Sequence, residues 1–111
     1  MRSRMFIAVL VALFAALTPA LVAGPAEAAT QRTWNRLAHC ESSGRWHINT
    51  GNGYYGGLQF SRSTWRAFGG RRLAHNAHRA TKREQIRIAE RVRRAQGWGA
   101  WPTCSRRIGV R

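Results

Sequence analysis

Hydrophobic and small residues form an unbroken run from Met5 to Leu17, directly after a short segment that carries two arginines. The run contains 13 residues, fewer than the roughly 20 that a helix needs to cross a membrane. Ala26-Glu27-Ala28 follows, with small residues at both positions that a signal peptidase recognises. We therefore expect residues 1–28 to be a cleaved signal peptide without a transmembrane anchor, and the mature chain to be secreted. The alternative is an apolar core helix or a membrane anchor.

The first helical pattern of the mature chain begins near Thr33, which is a residue type that caps helices. Trp34, Leu37 and Ala38 recur at positions i, i+3 and i+4, which predicts an amphipathic helix that ends at about residue 40 or 41. Glu41 is therefore expected at a helix C-terminus.

A stretch rich in glycine, from Ser42 to Gly57, follows this helix. It holds five glycines and two asparagines, a composition typical of turns and tight hairpins. At most one short hairpin fits there, at about Tyr54 to Phe60. Ser61 then begins a second helix, which passes through Trp65 and ends at Gly69-Gly70.

The last helical pattern is the longest. Thr81 and Glu84 match the capping box that begins many helices. An apolar stripe at helical spacing follows, formed by Ile88, Ala89, Val92 and Ala95. Gly97 is expected to end the helix, and Glu90 is expected to make a routine surface pairing with nearby arginines. The patterns together predict an α+β chain that is mostly helical.

Length and cysteine content limit the architecture. Removal of 28 of the 111 residues leaves 83, enough for one domain with a small core. Such secreted domains often need a disulfide, and Cys40 and Cys104 are the only cysteines, so only one pairing is possible. Neither the cysteines nor the four histidines have a spacing typical of zinc sites, so we expect no metal.

The mature chain is strongly basic. It keeps 17 of the 19 Lys and Arg residues and three of the four acidic residues, which gives a net charge of +14. So basic a domain is expected to bind a polyanion. Secretion argues against nucleic acid and favours anionic cell-wall polymers, with lipid head groups second. The expected contacts are Arg87, Arg91, Arg93 and Arg94. The alternative is a solvated basic face that only keeps the domain soluble.

Glu41 is the one acidic residue of the mature chain without a structural explanation. It precedes a segment rich in aromatic and amide side chains, namely Trp46, Asn49, Asn52, Tyr54, Tyr55 and Gln59. A helix C-terminus and burial among aromatic rings both raise the pKa of a carboxyl, as a general acid requires. Arg36 and Arg45 act in the opposite direction, so this interpretation depends on burial outweighing these charges. The alternative is an ordinary surface glutamate.

Several motifs resemble one known family. They are Cys40-Glu41-Ser42-Ser43-Gly44, the segment from Trp46 to Phe60, Ser63-Thr64-Trp65, and the segment from Gln96 to Pro102 that precedes Cys104. In this order they are similar to the catalytic domain of the resuscitation-promoting factors of actinobacteria, from about Thr33 to Ser105. Glu41-Ser42 followed by Gly57-Leu58-Gln59 also resembles the soluble lytic transglycosylases and, more remotely, the lysozymes.

The resemblance implies a small lysozyme-like α+β domain with a sugar-binding cleft, which we assign to residues 29–105, followed by a basic tail of residues 106–111. It implies that Glu41 is the catalytic residue and that Cys40 pairs with Cys104. The substrate-binding residues that it implies are Asn49, Tyr54, Gln59, Thr64, Gln96 and Trp101. Ser43, which stands where a glycine is common, is a small departure from the family pattern.

Glycosidases generally use two carboxylates, but this chain contains no aspartate. Because Glu84 and Glu90 belong to another helix, we expect Glu41 to act alone on the MurNAc–GlcNAc bond of peptidoglycan. A lytic transglycosylase is favoured over a muramidase, and the resemblance implies support of growth resuscitation. We expect a monomer that needs no cofactor. The alternatives are a non-catalytic wall-binding or signalling module and a cationic antibacterial protein.

Overall fold

The computed structural model describes residues 29–111, so the predicted signal peptide, residues 1–28, lies outside the described range. Over residues 29–111 the elements are α1 (Gln31–Ser42), β1 (Tyr54–Tyr55), β2 (Phe60–Ser61), α2 (Arg62–Ala67), α3 (Lys82–Gln96) and α4 (Pro102–Arg107). Short 3₁₀ helices cover Gly70–Arg72, Ala77–Arg79 and Trp98–Ala100. The predicted fold class, a mostly helical α+β domain with a short hairpin, is confirmed.

Helix α1 begins earlier than the sequence pattern predicts. The Thr30 hydroxyl accepts a hydrogen bond from the Thr33 N–H at 3.2 Å and caps the helix. The prediction that Thr33 is the cap is therefore wrong, because Thr33 lies inside the first turn. The helix ends at Ser42, and Ser43 follows in a left-handed conformation with φ of 58°. Glu41 thus lies in the last turn of α1, as predicted.

The hairpin lies where the sequence predicts it. Tyr54 pairs with Ser61 and Tyr55 pairs with Phe60 in an antiparallel ladder. The hydroxyl of Ser61 then accepts a hydrogen bond from the Thr64 N–H at 3.1 Å, which caps α2 as predicted. Residues 56–59 form the loop between the two strands, and this loop lies beside the end of α1.

Helix α3 is the longest helix of the described chain, as predicted. Its capping box is present, since the Thr81 N–H donates to Glu84 Oε1 at 2.9 Å and the Glu84 N–H donates to the Thr81 hydroxyl at 3.1 Å. Three of the predicted stripe residues are buried, namely Ile88, Ala89 and Val92. Ala95 is exposed, and that part of the prediction is wrong because the last turn of α3 extends past the core.

Tryptophan side chains form much of the core. Trp34 is fully buried, and its ring centroid lies 5.0 Å from that of Trp98 and 5.3 Å from that of Trp101. Trp65 is also fully buried and packs edge-on against Phe60. The first cluster joins α1 to the segment between α3 and α4, and the second joins the hairpin to α2.

A disulfide between Cys40 and Cys104 joins the end of α1 to α4 and confirms the predicted pairing. Residues 106 and 107 of the predicted basic tail belong to α4. The Arg36 guanidinium donates a hydrogen bond to the Ile108 carbonyl at 2.6 Å. The two helices are therefore held together by a covalent link and by a polar contact.

Gly57→Ala is expected to destabilise the domain by about 1–3 kcal/mol. A methyl group at this position would lie 2.4 Å from a ring carbon of Trp46, so the indole would have to shift. Gly99→Ala is the matched control, because its methyl group would meet only the end of the flexible Arg111 side chain, at 3.0 Å. Thermal unfolding compares the two variants, and equal stabilities would contradict this packing.

Candidate active site

A cleft lies between the hairpin, the end of α1 and the segment that joins α3 to α4. Its larger part, of about 310 Å³, is lined by Glu41, Tyr54, Gln59, Trp101 and residues 102–104. Its smaller part, of about 240 Å³, extends to Thr64 and Gln96. Tyr54, Gln59 and Trp101 line both parts, so the two volumes form one continuous cleft.

Most of the residues predicted for the site lie along this cleft, namely Glu41, Tyr54, Gln59, Thr64, Gln96 and Trp101. Asn49 lines neither part of it. Its side-chain oxygen accepts a hydrogen bond from the Gly51 N–H at 3.1 Å, and its backbone bridges to Tyr55. Asn49 thus shapes the turn that leads into the hairpin.

Glu41 is partly buried in the larger part of the cleft. Burial raises the pKa of its carboxyl above the ordinary value, because removal from water disfavours the ionised form. No basic side chain among residues 29–111 pairs with Glu41. The Arg36 guanidinium bonds to the Ile108 carbonyl, and that of Arg45 bonds to the Ser42 carbonyl at 3.0 Å. Burial therefore outweighs the nearby positive charge.

Ser42 links α1 to the hairpin loop. Its buried hydroxyl lies 2.9 Å from the Gly57 carbonyl and 3.0 Å from the Ala38 carbonyl, and it accepts a hydrogen bond from the Arg45 N–H at 3.2 Å. Because Ser42 follows Glu41 directly, this contact fixes the loop relative to the Glu41 carboxyl.

Gln85 holds the same loop from α3. Its side chain is fully buried, and its Oε1 accepts a hydrogen bond from the Gly57 N–H at 3.0 Å. Its Nε2 donates to the Trp46 carbonyl at 2.7 Å and to the Ala80 carbonyl at 3.1 Å. Gln85 was not predicted from the sequence pattern, because only apolar residues were expected in the buried stripe of α3. The sequence did hold one indication that Gln85 is buried: it lies one helical turn before Ile88, on the same face of α3.

Gln59 lies in the cleft in a left-handed backbone conformation, with φ of 55°. Such a conformation is uncommon outside glycine and, where it occurs, often marks a functional site. The Gln59 Nε2 donates to the Gly56 carbonyl at 3.0 Å. The Trp101 indole N–H donates to the Leu58 carbonyl at 3.0 Å. These contacts hold the loop against the aromatic wall of the cleft.

The other two carboxylates of residues 29–111 are engaged elsewhere. Glu84 is occupied by the capping box. Glu90 pairs with Arg93 at 3.1 Å, as predicted, but its side chain is only 14% exposed. Its Oε2 also accepts hydrogen bonds from the Trp34 indole at 2.9 Å and from the Ala29 N–H at 3.0 Å. The prediction of a routine surface pairing is therefore wrong in part, because Glu90 joins distant segments of the chain.

Ala100, Pro102 and Thr103 also line the cleft. Ala100 and Pro102 belong to the segment from Gln96 to Pro102 that the resemblance singled out, whereas Thr103 lies just after it and was not predicted. The part of the chain that the structure describes contains no group of three or more His, Cys, Asp or Glu side chains suited to hold a metal ion.

A row of exposed arginines follows one face of α3, formed by Arg83, Arg87, Arg91 and Arg94. Their spacings of four, four and three residues place them above one another on the helix. Arg93 was predicted to belong to this surface. It instead pairs with Glu90 and lies over the Trp98 ring, 5.4 Å from its centroid. We call the row of four the arginine face.

Comparison with known proteins identifies the family. A family model described as a transglycosylase-like domain matches residues 28–104. Resuscitation-promoting factor Rpf1 of Corynebacterium glutamicum is 57% identical over 90 residues, which cover 81% of this chain and 47% of that protein. Resuscitation-promoting factor Rpf of Micrococcus luteus is 57% identical over 86 residues, which cover 78% of this chain and 37% of that protein.

Resuscitation-promoting factor RpfE of Mycobacterium tuberculosis is 56% identical over 89 residues, which cover 80% of this chain and 50% of that protein. This chain thus spans half or less of the length of each of these relatives. The resemblance that the motifs indicated is confirmed, and the chain belongs to the transglycosylase-like domain family.

Proposed function

We propose that this chain is a secreted enzyme that cleaves the MurNAc–GlcNAc bond of peptidoglycan, with Glu41 as its single general acid and base. The observation that carries the proposal is a partly buried glutamate, with a raised pKa, in a cleft that holds no other carboxylate of the described chain. Membership of the transglycosylase-like family supports the reaction class.

The cleft residues suit a sugar chain. Tyr54 is 50% exposed and offers an aromatic face against which the C–H face of a sugar ring packs, whereas Trp101 lines the cleft but is only 5% exposed. Gln59, Thr64 and Gln96 offer amide and hydroxyl groups for hydrogen bonds with sugar hydroxyl and N-acetyl groups. We propose that these residues bind the glycan strand across Glu41. Asn49 remains a proposal from the resemblance alone.

In the first step, Glu41 donates its proton to the glycosidic oxygen, and the bond to the anomeric carbon of N-acetylmuramic acid breaks. The acetamido group of the same sugar stabilises the developing positive charge. A carboxyl with a raised pKa suits this step, because it stays protonated closer to neutral pH. The step leaves Glu41 as a carboxylate.

In the second step, the Glu41 carboxylate accepts a proton from the 6-hydroxyl of the muramic acid, whose oxygen then bonds to the anomeric carbon. The product is a 1,6-anhydro sugar, and Glu41 regains its proton. This route needs no second carboxylate to activate a water molecule, and we therefore favour the lytic transglycosylase. A muramidase, in which Glu41 activates water instead, is the second candidate.

Incubation of the protein with purified peptidoglycan tests the proposal, followed by mass spectrometry of the soluble fraction. Release of glycan fragments that end in muramic acid is the expected result. Binding to the wall without any release would instead support the wall-binding or signalling module. Killing of bacteria by a variant without Glu41, with a steep loss at high salt, would support the cationic antibacterial protein.

We further propose that residues 1–28 direct secretion and are removed, that residues 29–105 form the catalytic domain and that residues 106–111 end it as a basic tail. No helix within residues 29–111 is both long and apolar enough to cross a membrane. The domain acts as a monomer at the cell wall and supports growth resuscitation, which is the role named for its relatives.

We propose that the arginine face binds anionic wall polymers. Replacing Arg87 and Arg94 with glutamine is expected to weaken binding to whole walls and to flatten its salt dependence, since two exposed charges are lost. Replacing Arg71 and Arg72 with glutamine is the control, because it removes the same two positive charges from exposed residues on a different element. Sedimentation with walls at several salt concentrations measures the effect, and equal losses for both pairs would contradict a dedicated face.

A further inference from the structure

Glu90 connects the main chain at Ala29 to Trp34, a core residue whose ring packs against the cleft residue Trp101. Its Oε2 lies 3.0 Å from the Ala29 nitrogen and 2.9 Å from the Trp34 Nε1, and its Oε1 lies 3.1 Å from Arg93. The Glu90 side chain is only 14% exposed, and Ala29 packs against the hydrophobic core. A main-chain nitrogen is therefore held against a carboxylate that is largely shielded from water.

The peptide bond that precedes this nitrogen is the one at which the Ala26-Glu27-Ala28 motif predicts cleavage. Hydrolysis adds one water molecule across the Ala28–Ala29 amide. Ala28 leaves with a new carboxylate, and Ala29 keeps its nitrogen as an amine that takes up a proton near neutral pH. A neutral N–H beside Glu90 thus becomes an ammonium with three donors.

We propose that Glu90 is the binding site for the α-ammonium that processing creates at Ala29. Removal of the leader would then convert a neutral hydrogen bond into a charge-assisted ion pair. The inference rests on the proposed cleavage after Ala28 and is independent of any catalytic role of Glu41.

The surroundings of Glu90 suit this role. Charge-assisted hydrogen bonds are stronger than neutral ones, and more so where water is partly excluded. Arg93 occupies Oε1 and leaves Oε2 to the Ala29 nitrogen and the Trp34 indole. Trp34 lies 5.3 Å from Trp101, which lines the cleft. Glu90 is therefore a positioning residue, because the carboxylate oxygen that would bind the ammonium also accepts the hydrogen bond of the Trp34 indole.

The test compares a protein that begins at Ala29 with the same protein acetylated at its α-amine. Lys82 is the only lysine of the chain, so mass spectrometry readily verifies selective acetylation. We expect acetylation to lower the Tm by about 3–6 °C in the wild type and to have little effect in Glu90→Gln. An equal loss in both proteins, or no loss in the wild type, overturns the proposal.

A second measurement keeps the test valid if Glu90→Gln does not fold. Pairing with Glu90 raises the pKa of the ammonium, so its stabilisation is complete below about pH 8 and is lost as the pH rises through the raised value. Arg93, on the same helix, is the charged side chain that faces Glu90 at Oε1. Trp34 from α1 and Trp98, which lies under Arg93, carry no charge.

The indole N–H signal of Trp34 in nuclear magnetic resonance reports this titration, because it shares Oε2 with the Ala29 nitrogen. We expect the signal to shift as the amine loses its proton in the free protein and to stay constant in the acetylated protein. A signal that behaves the same in both overturns the proposal. The intact mass of the secreted protein is expected to match a chain that begins at Ala29. A mass that indicates a different first residue overturns the proposal as well.

Discussion

Glu41→Gln is expected to abolish cleavage of peptidoglycan while the fold and wall binding are retained. Glutamine fills the same volume as glutamate, but its amide cannot donate the acidic proton that the leaving oxygen needs. The loss of general acid catalysis alone is expected to lower the rate roughly a hundred- to ten-thousand-fold. The release of soluble fragments from a peptidoglycan suspension measures the rate.

Glu84→Gln is the matched control, because Glu84 is occupied by the capping box of α3. Its loss is expected to cost about 0.5–1 kcal/mol of stability with little effect on turnover. A Glu41→Gln protein that keeps more than about a tenth of the wild-type rate would contradict the assignment, as would a Glu84→Gln protein that folds but is inactive.

The raised pKa of Glu41 predicts the direction in which activity and stability change with pH. Activity requires the protonated carboxyl, so the rate is expected to fall as the pH rises through the raised pKa. The folded state binds that proton more tightly than the unfolded state does, so ionisation of Glu41 destabilises the fold at higher pH. Glu41→Gln is therefore expected to be at least as stable as the wild type at neutral pH. Lower stability would argue against burial as the cause.

Removal of the disulfide is expected to have the largest effect on stability. Cys40 and Cys104 are separated by 64 positions along the chain, and closing a loop of this length contributes about 4 kcal/mol in the chain-entropy model. Cys104 also lines the cleft, and Cys40 precedes Glu41. Activity is therefore expected to fall together with stability.

Replacing Cys40 and Cys104 together with alanine tests this effect, with unfolding in urea as the measurement. The control is treatment with a thiol reductant, which is expected to destabilise the wild type and to leave the double variant unchanged. Equal unfolding midpoints for the oxidised wild type and the double variant would show that the link does not stabilise the domain.

Features that depend on neighbours in sequence were predictable. The capping box at Thr81 and Glu84 involves residues three apart, and Ser61 caps α2 through a residue three positions later. The cap of α1 was predicted wrongly because Thr30 and Thr33 are both residue types that cap helices. In the structure the Trp34 N–H donates to the Thr30 carbonyl at 3.2 Å, so the first turn already includes Thr33.

Features that depend on distant contacts were missed. Gln85 is buried and bonds to Gly57, 28 positions away, and Glu90 is partly buried and bonds to Trp34, 56 positions away. A helical pattern reports which face is buried, but it does not report which polar groups that face must satisfy. The long-range hydrogen bonds of these two side chains could therefore be recognised only from the packing of α3.

The candidate site was predicted by two different routes. The catalytic role of Glu41 was predicted from the residues of this chain, because the other acidic residues of the mature chain had expected local partners. The cleft residues followed only from the resemblance, because nothing in spacing or composition brings Thr64 near Gln96. The structure places both along one cleft and leaves Asn49 outside it.

The nature of the glycan ends formed by the wild type and by Glu41→Gln tests the proposed lytic transglycosylase mechanism most directly. Mass spectrometry distinguishes a 1,6-anhydro muramic end from a reducing end, because the two differ by one water molecule. We predict that fragments released by the wild type end in 1,6-anhydro muramic acid and that Glu41→Gln releases none. Fragments with reducing ends alone would contradict the transglycosylase route and support the muramidase, and equal release by both proteins would contradict the role of Glu41.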